Sequence, residues 1–243
     1  MPYADITFRD RNPVKRWLQG RRLLSAIDLY GARRPGVLCD FGAGNGELCR
    51  LLAESHPGTR LICYEPVGEL LREAKENLAA VPNVELRQDI TELPTEGVDA
   101  IFCLEVFEHL PEAETAAALV DIVRLLKPNG IAIIGVPVEV GIPAIYRGAF
   151  RMARRYGSFD ATFKNVAMST IGRPPCDRPI REVGPGMRFH PFHTGFDFRR
   201  FRDTLRGYLR VREEAGSPIA RIGPWLMPEV NFLAEKIQPL DRK

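Results

Sequence analysis

Short apolar runs alternate with segments of helical spacing through the middle of the chain. VLCDF (37–41), RLICYE (60–65), VELRQ (84–88), VDAIFC (98–103) and IAIIGVP (131–137) are β-branched or apolar and bounded by Gly, Pro or Asp. Such runs read as strands. Between them GELCRLLAES, VGELLREAKENLAA and PEAETAAALVDIVRLLK place apolar residues at helical spacing. Pro111 suits the first turn of the third helix, and Glu112 and Glu114 complement the positive end of its dipole. Lys127-Pro128-Asn129-Gly130 predicts a helix stop followed by a tight turn. LRVREEA (209–215) and PEVNFLAEKI (228–237) read as two closing strands. Strands separated by helices predict an α/β fold, with right-handed crossovers and a parallel sheet covered on both faces.

Two regions fall outside the alternation. In 11–30, Val14, Trp17, Leu18, Leu24 and Ile27 recur at helical spacing beside Lys15, Arg16, Arg21 and Arg22. In 141–195, Ile142, Ile145, Tyr146, Ala149, Phe150 and Ala153 mark one stripe of a helix, and Arg147, Arg151, Arg154 and Arg155 mark the opposite side. This second region holds nine Arg/Lys against three Asp/Glu, more than the whole chain's excess of +3. We expect a single domain over 1–243, with residues 1–34 as an N-terminal helical cap and 141–195 as a helical insertion after the fifth strand. The two together would form a lid and acceptor region.

Composition changes this picture little. With 243 residues, 45% hydrophobic and 27% charged, the chain has ample material for one core. A net charge of +3 does not announce a nucleic-acid binder, and none is expected. No apolar run approaches the ~20 residues that span a bilayer, and the start MPYADITFRDRNPVKRW lacks an apolar signal core. Cys39, Cys63 and Cys103 fall inside the strand-like runs without zinc-type spacing. They read as reduced core thiols, so the expected location is cytoplasmic, with peripheral attachment to the inner face of a membrane as an alternative.

The chemistry concentrates in the loop after the first strand, Asp40-Phe41-Gly42-Ala43-Gly44-Asn45-Gly46. A strand-to-helix turn at the carboxyl edge of a parallel sheet is the usual ligand site, and glycine lets the backbone approach the ligand. A dinucleotide fingerprint would read G-x-G-x-x-G. Here position 47 is Glu, which would repel a pyrophosphate, and Asp40 at the strand end suits a ligand carrying a cation.

VLCDFGAGNGEL resembles the first motif of the class I S-adenosylmethionine (SAM)-dependent methyltransferases. The resemblance covers residues ~35–137 closely and the last strands loosely. It implies a Rossmann-like three-layer sandwich with a seven-stranded, mostly parallel sheet and one antiparallel strand. The implied cofactor is SAM, with S-adenosylhomocysteine as product. By the same resemblance Gly42, Ala43, Gly44 and Gly46 lie along the methionine part and Asp40 engages its amino group. Glu65, followed by Pro66, takes the ribose hydroxyls, Asp89 lies near the adenine amino group, and Ile90 packs on the adenine face.

Glu105-Val106-Phe107-Glu108-His109-Leu110 follows the fourth strand and resembles the segment of small-molecule methyltransferases that sits beside the transferred methyl, where Glu105 would also border the cofactor. Three readings stay open. His109 is a general base for an acceptor hydroxyl, since histidine as a residue type titrates near neutrality. Alternatively, Glu105, Glu108 and His109 share one face of a helix and, with His190 or His193, hold a divalent cation. That arrangement resembles ubiquinone-pathway O-methyltransferases and small-RNA 2′-O-methyltransferases. Or these side chains only position the loop. We take His109 and His193 as the catalytic candidates, and a metal on Glu105, Glu108, His109 and His193 as the less favoured alternative. The basic insertion fits a lid over an apolar acceptor with its arginines facing water, contact with a membrane or lipid-linked acceptor, or a phosphorylated acceptor. The expected function is methyl transfer from SAM to a small molecule, at oxygen. Its rivals are a SAM-binding protein without transfer activity and a dinucleotide-dependent oxidoreductase, the latter disfavoured by Asp40, Glu47 and the lack of a Tyr-x-x-x-Lys pair.

Overall fold

The computed structural model describes residues 13–184 and 186–237, with side chains from residue 20 onward. The polar start of the chain and the side chains of Val14, Lys15, Arg16, Trp17 and Leu18 therefore lie outside the described residues. The elements run α1 (Pro13–Tyr30), β1 (Val37–Phe41), α2 (Glu47–Ser55), β2 (Arg60–Tyr64), α3 (Gly68–Asn77), β3 (Val84–Arg87), β4 (Val98–Leu104), α4 (Glu112–Leu125) and β5 (Leu126–Pro137). They continue with α5 (Ile142–Arg155), α6 (Phe163–Thr170), a hairpin of β6 (Arg181–Gly184) and β7 (Met187–Phe189), α7 (Phe198–Arg206), β8 (Leu209–Ser217) and β9 (Glu229–Lys236).

Seven strands form one sheet in the order β3-β2-β1-β4-β5-β9-β8. β1 to β5 pair in parallel, whereas β9 runs antiparallel to both neighbours. The strands are short and apolar because both faces are covered. Along β4, Ile101 and Cys103 face one cluster with Leu119, Ile122, Phe201 and Phe232. Ala100 and Phe102 face the other, with Ala26, Ile27, Leu48 and Leu52. The three-layer sandwich thus has α4 and α7 on one side and α1 and α2 on the other. Each fully buried large side chain, such as Phe102, contributes about 1.5–3 kcal/mol. Cys39, Cys49, Cys63 and Cys103 are buried free thiols.

The Lys127–Gly130 turn sits within β5 instead of before it. Leu126 already pairs with Val98 and Ile131 with Ala100, so the intervening residues bulge out of the ladder. Asn129 takes φ 64°, which asparagine tolerates better than most residues.

Register sets where the chemistry falls. Phe41 lies opposite Tyr64, Leu104 opposite Gly135, and Pro137 opposite Glu229. The loop after β1, Glu65, the segment 105–109, Glu139 and Glu229 therefore meet along one edge of the sheet. Among the described residues no helix is long and apolar enough to cross a membrane.

Candidate active site

Gly42, Gly44 and Gly46 all adopt positive φ, at 79°, 56° and 79°. The backbone N–H groups of Gly42 and Ala43 both donate to Tyr64 O at 2.9 Å, which ties the loop to the end of β2. A Cβ on Gly42 would lie 2.5 Å from Val106 Cγ2, so this glycine lets the first loop and the segment after β4 close together. A Cβ on Gly46 would lie 2.7 Å from Leu78 Cδ1 on the far side.

Asp40 is 3% exposed, with Cys49 Sγ 3.5 Å from its Oδ2. Burial raises its pKa to about 7, and the nearby Glu65 adds to the rise. Glu65 is buried as well, which pushes its carboxyl up. Its Oε2 accepts from Gly44 N at 2.8 Å and its Oε1 from Val67 N at 2.9 Å, so it braces the glycine loop. Two buried carboxylates beside a loop of unusual backbone make an environment that favours a cationic ligand. Pro66 is half-buried next to Glu65. Asp89 is exposed and caps the turn Ile90–Glu92, accepting from Thr91 N at 2.8 Å and Thr91 Oγ1 at 2.7 Å. Those bonds hold its carboxyl below the usual range. Ile90 is half-buried against the core.

Glu47 does not bear on a ligand as the sequence suggested. Its carboxylate is paired with Arg50, 2.6 Å away on the next turn of α2. The preference for a cation over a pyrophosphate therefore rests on Asp40.

Beyond β4 the structure departs from a regular helix. Glu105 sits at φ 56°, and only Phe107–His109 form a short 3₁₀ turn. The assumed one-sided helical face does not exist, and Glu105 is not among the residues whose donor atoms converge, though its charge still acts on His193 and Glu108. Arg22 Nη1 of α1 lies 3.3 Å from Glu105 Oε2 and 3.2 Å from Glu229 Oε1. Burial alone would raise the Glu105 carboxyl, but Arg22, His193, Arg147 and His109 together outweigh it and hold the group below its usual range. Glu229 has no such surplus, and burial raises it to about 7.

Glu108, His109 and His193 do converge. Their donor atoms lie within 4.8 Å of one another. His109 Nε2 is 3.2 Å from His193 Nε2, and Glu108 Oε1 is 3.9 Å from each. His109 Nδ1 lies 2.8 Å from His190 O, which can only accept. The Nδ1 therefore carries the proton, and the Nε2 of neutral His109 offers a lone pair. Burial lowers the pKa of His193 to about 4, so His193 is neutral near pH 7. Glu108 is fully buried, and neither of its oxygens has a hydrogen-bond partner. Burial and Glu105 push its carboxyl strongly upward. A group in that position needs a proton or a cation beside it. His190 is the histidine left out: its Nδ1 lies 2.9 Å from Pro179 O, and its N–H supports His109 through His109 O at 2.7 Å.

The insertion closes over this edge in an unexpected orientation. Arg147 Nε reaches Glu139 Oε1 at 2.9 Å, and Arg151 Nη2 reaches Glu139 Oε2 at 2.7 Å. Arg155 pairs with buried Asp160. Arg147 and Arg151 thus turn toward the protein, contrary to the expectation that they face water, whereas Arg155 stays exposed beside its partner. Glu139 is fully buried, yet these arginines hold its carboxyl at about 2. A cleft of about 390 Å³ runs between α5 and the 191–193 segment, walled by Arg147, Phe150, Arg151, Arg155 and Phe192 and reaching His193. Sequence reading missed Arg22, Glu139 and Glu229. The signal was an acid set inside an apolar run, as in Val138-Glu139-Val140, or opening a strand, as in Glu229.

A profile described as a methyltransferase domain matches residues 38–130. Trans-aconitate 2-methyltransferase of Azoarcus sp. (strain BH72) is 33% identical over 126 residues, 51% of this chain and 47% of that protein. Malonyl-[acyl-carrier protein] O-methyltransferase of Geobacter sulfurreducens is 26% identical over 212 residues, 83% of this chain and 75% of that protein. The chain thus spans about half the length of the first relative, 47%, and more of the second. A solved SAM-dependent methyltransferase from Aquifex aeolicus shares the fold with TM-score 0.61 and 15% identity, covering 96% of this chain and 98% of that one. Strand order, glycine loop and the matched profile agree on a class I SAM-dependent methyltransferase fold, with the methyltransferase-domain match spanning residues 38–130.

Proposed function

We propose that this protein transfers the methyl group of SAM to an oxygen of a small-molecule acceptor, with His109 as the base and His193 as its partner. The observation that carries the reading is the 3.2 Å approach of the two Nε2 atoms beside buried Glu108. His109 Nε2 is fixed as a lone-pair atom by the carbonyl on its other nitrogen, so it can take a proton from an acceptor hydroxyl. Bases of this kind contribute about 10²–10⁴-fold, and alignment of acceptor and sulfonium supplies much of the rest. The loop Gly42–Gly46, Asp40, Glu65 and the Asp89–Ile90 turn are assigned to the cofactor. The cleft that reaches His193 is assigned to the acceptor. The second relative named above is by its name an O-methyltransferase, which supports oxygen as the target atom.

A second reading has its own observation. Glu108 is a buried acid without a hydrogen-bond partner, and the Nε2 atoms of both histidines lie 3.9 Å from its Oε1. Histidines that hold a metal through one nitrogen commonly donate from the other to a carbonyl, as His109 does to His190 O. Glu108, His109 and His193 would hold a divalent cation, which would acidify the acceptor oxygen. One assay separates the readings. Acceptors that include trans-aconitate, malonyl thioesters and hydroxylated aromatics are screened for methyl transfer with and without EDTA. Transfer to oxygen that survives EDTA supports the base. Loss in EDTA restored by Mg²⁺ or Mn²⁺ supports the metal. Transfer only to nitrogen or carbon acceptors contradicts both.

A further inference from the structure

α5 is amphipathic in the opposite sense to an ordinary surface helix. Its arginine side faces Glu139 and Asp160, and its apolar side faces outward. Ile142, Ile145, Tyr146, Ala149, Phe150 and Ala153 are all exposed, with Phe150 at 61%. Their spacing makes one unbroken stripe along the 14-residue helix. Gly148 on the buried side seats α6, where Val166 Cγ1 would lie 2.4 Å from an added Cβ. α6 and the turn after it expose Phe163, Met168 and Ile171 in turn. Tyr146 Oη lies 3.5 Å from Leu226 O, so exposed Trp225 and Leu226 adjoin the stripe. Apolar surface of this extent is uncommon on a protein that meets only water.

The charges around the stripe identify what covers it. Between residues 141 and 173 the sole acid is Asp160, and it is buried and paired. Arg154, Arg155, Lys164 and Arg173 are exposed, and the Arg154 guanidinium lies 5.3 Å over the Phe150 ring. A second copy of the same face would bring cations against cations. An apolar stripe rimmed by cations, with no exposed acid, is complementary to an anionic amphiphilic surface. We propose that α5 docks this protein on an anionic phospholipid surface, with its apolar stripe at the acyl boundary and its basic rim among the headgroups. The active-site edge lies directly behind the docked helix, on the side of Arg147 and Arg151.

The inference does not rest on methyl transfer, so its test uses binding alone. The full chain is sedimented with vesicles of phosphatidylglycerol and phosphatidylcholine, and with phosphatidylcholine only, at low salt. The expected result is a pelleted fraction at least about fivefold higher on the anionic vesicles, lost at about 0.5 M salt. The double variant Ile145→Glu/Phe150→Glu and the separate variant Arg154→Glu/Lys164→Glu should both fall to the phosphatidylcholine level. Circular dichroism melting is used to check that each is folded, and the substituted residues are exposed in the native protein. Failure of the native chain to pellet with anionic vesicles overturns the proposal, as does undiminished binding of either folded variant. A dimer in light scattering that the first variant dissociates, without vesicle binding, assigns the face to a second copy and overturns it too.

Discussion

The Nε2 atoms of His109 and His193 lie 3.2 Å apart, although 84 residues separate them in the chain. The contact joins the turn after β4 to the end of the insertion, so the reacting edge is complete only when the insertion is in place. His109→Ala and His193→Ala should each lower kcat, His109→Ala by about 10²–10³-fold. S-adenosylhomocysteine affinity, measured by calorimetry, should stay within about twofold of native, because neither ring belongs to the cofactor loop. An equal loss of cofactor binding would move these residues out of the acceptor side.

Asp40 should make cofactor affinity depend on pH. With its pKa raised to about 7, the carboxyl is largely protonated at lower pH in the free protein. A cationic ligand prefers the ionised form, so SAM affinity rises with pH, by up to about tenfold per unit below the pKa, and levels off above it. Calorimetric titrations from about pH 6 to 8 read the trend. Asp40→Asn should bind more weakly and flatten the profile.

Gly42→Ala tests the closure of the two loops. The position has φ 79°, and the new Cβ would come within 2.5 Å of Val106 Cγ2. Left-handed backbone costs a non-glycine residue about 1–2 kcal/mol before any clash is counted. The expected outcome is a lower melting temperature together with weaker cofactor binding. The companion change Val106→Ala should recover part of the loss, since it removes the atom the Cβ meets.

Glu139 should anchor the insertion. Glu139→Gln leaves Arg147 and Arg151 facing a neutral group, and breaking a buried pair costs about 3–5 kcal/mol. The folded carboxyl titrates at about 2, below its ordinary value of 4.5. Its stabilising contribution is therefore full above the ordinary value and fades as the pH falls toward 2. Limited proteolysis should show cuts within 141–195 appearing in the variant at neutral pH, and in the native chain only on acidification.

Much of the sheet was legible because the central strands β1, β2 and β4 are apolar runs buried on both faces, and composition alone marks such a run. VLCDF is β1 to the residue. The β6–β7 hairpin was not legible: Arg181–Gly184 and Met187–Phe189 are charged, largely exposed and without alternation. Lys127–Gly130 has turn chemistry, but pairing of Leu126 with Val98 draws it into β5 as a bulge. Periodicity found the α5 stripe but could not say which side faces inward. That is decided by Glu139 and Asp160, acids in the segments flanking α5 that attract the arginines. At the site, the glycine loop was readable from its residues because backbone approach demands them. The pairing of Glu105 with Arg22 was not, because it follows from one left-handed residue and from a cation on α1.

The central claim is that the Asp40–Gly46 loop holds SAM. Calorimetric titration of the purified protein with S-adenosylhomocysteine, SAM and NAD tests it most directly. The account predicts saturable one-to-one binding of S-adenosylhomocysteine and SAM, weakened by Asp40→Asn, and no binding of NAD. Saturable binding of NAD with none of S-adenosylhomocysteine would contradict it.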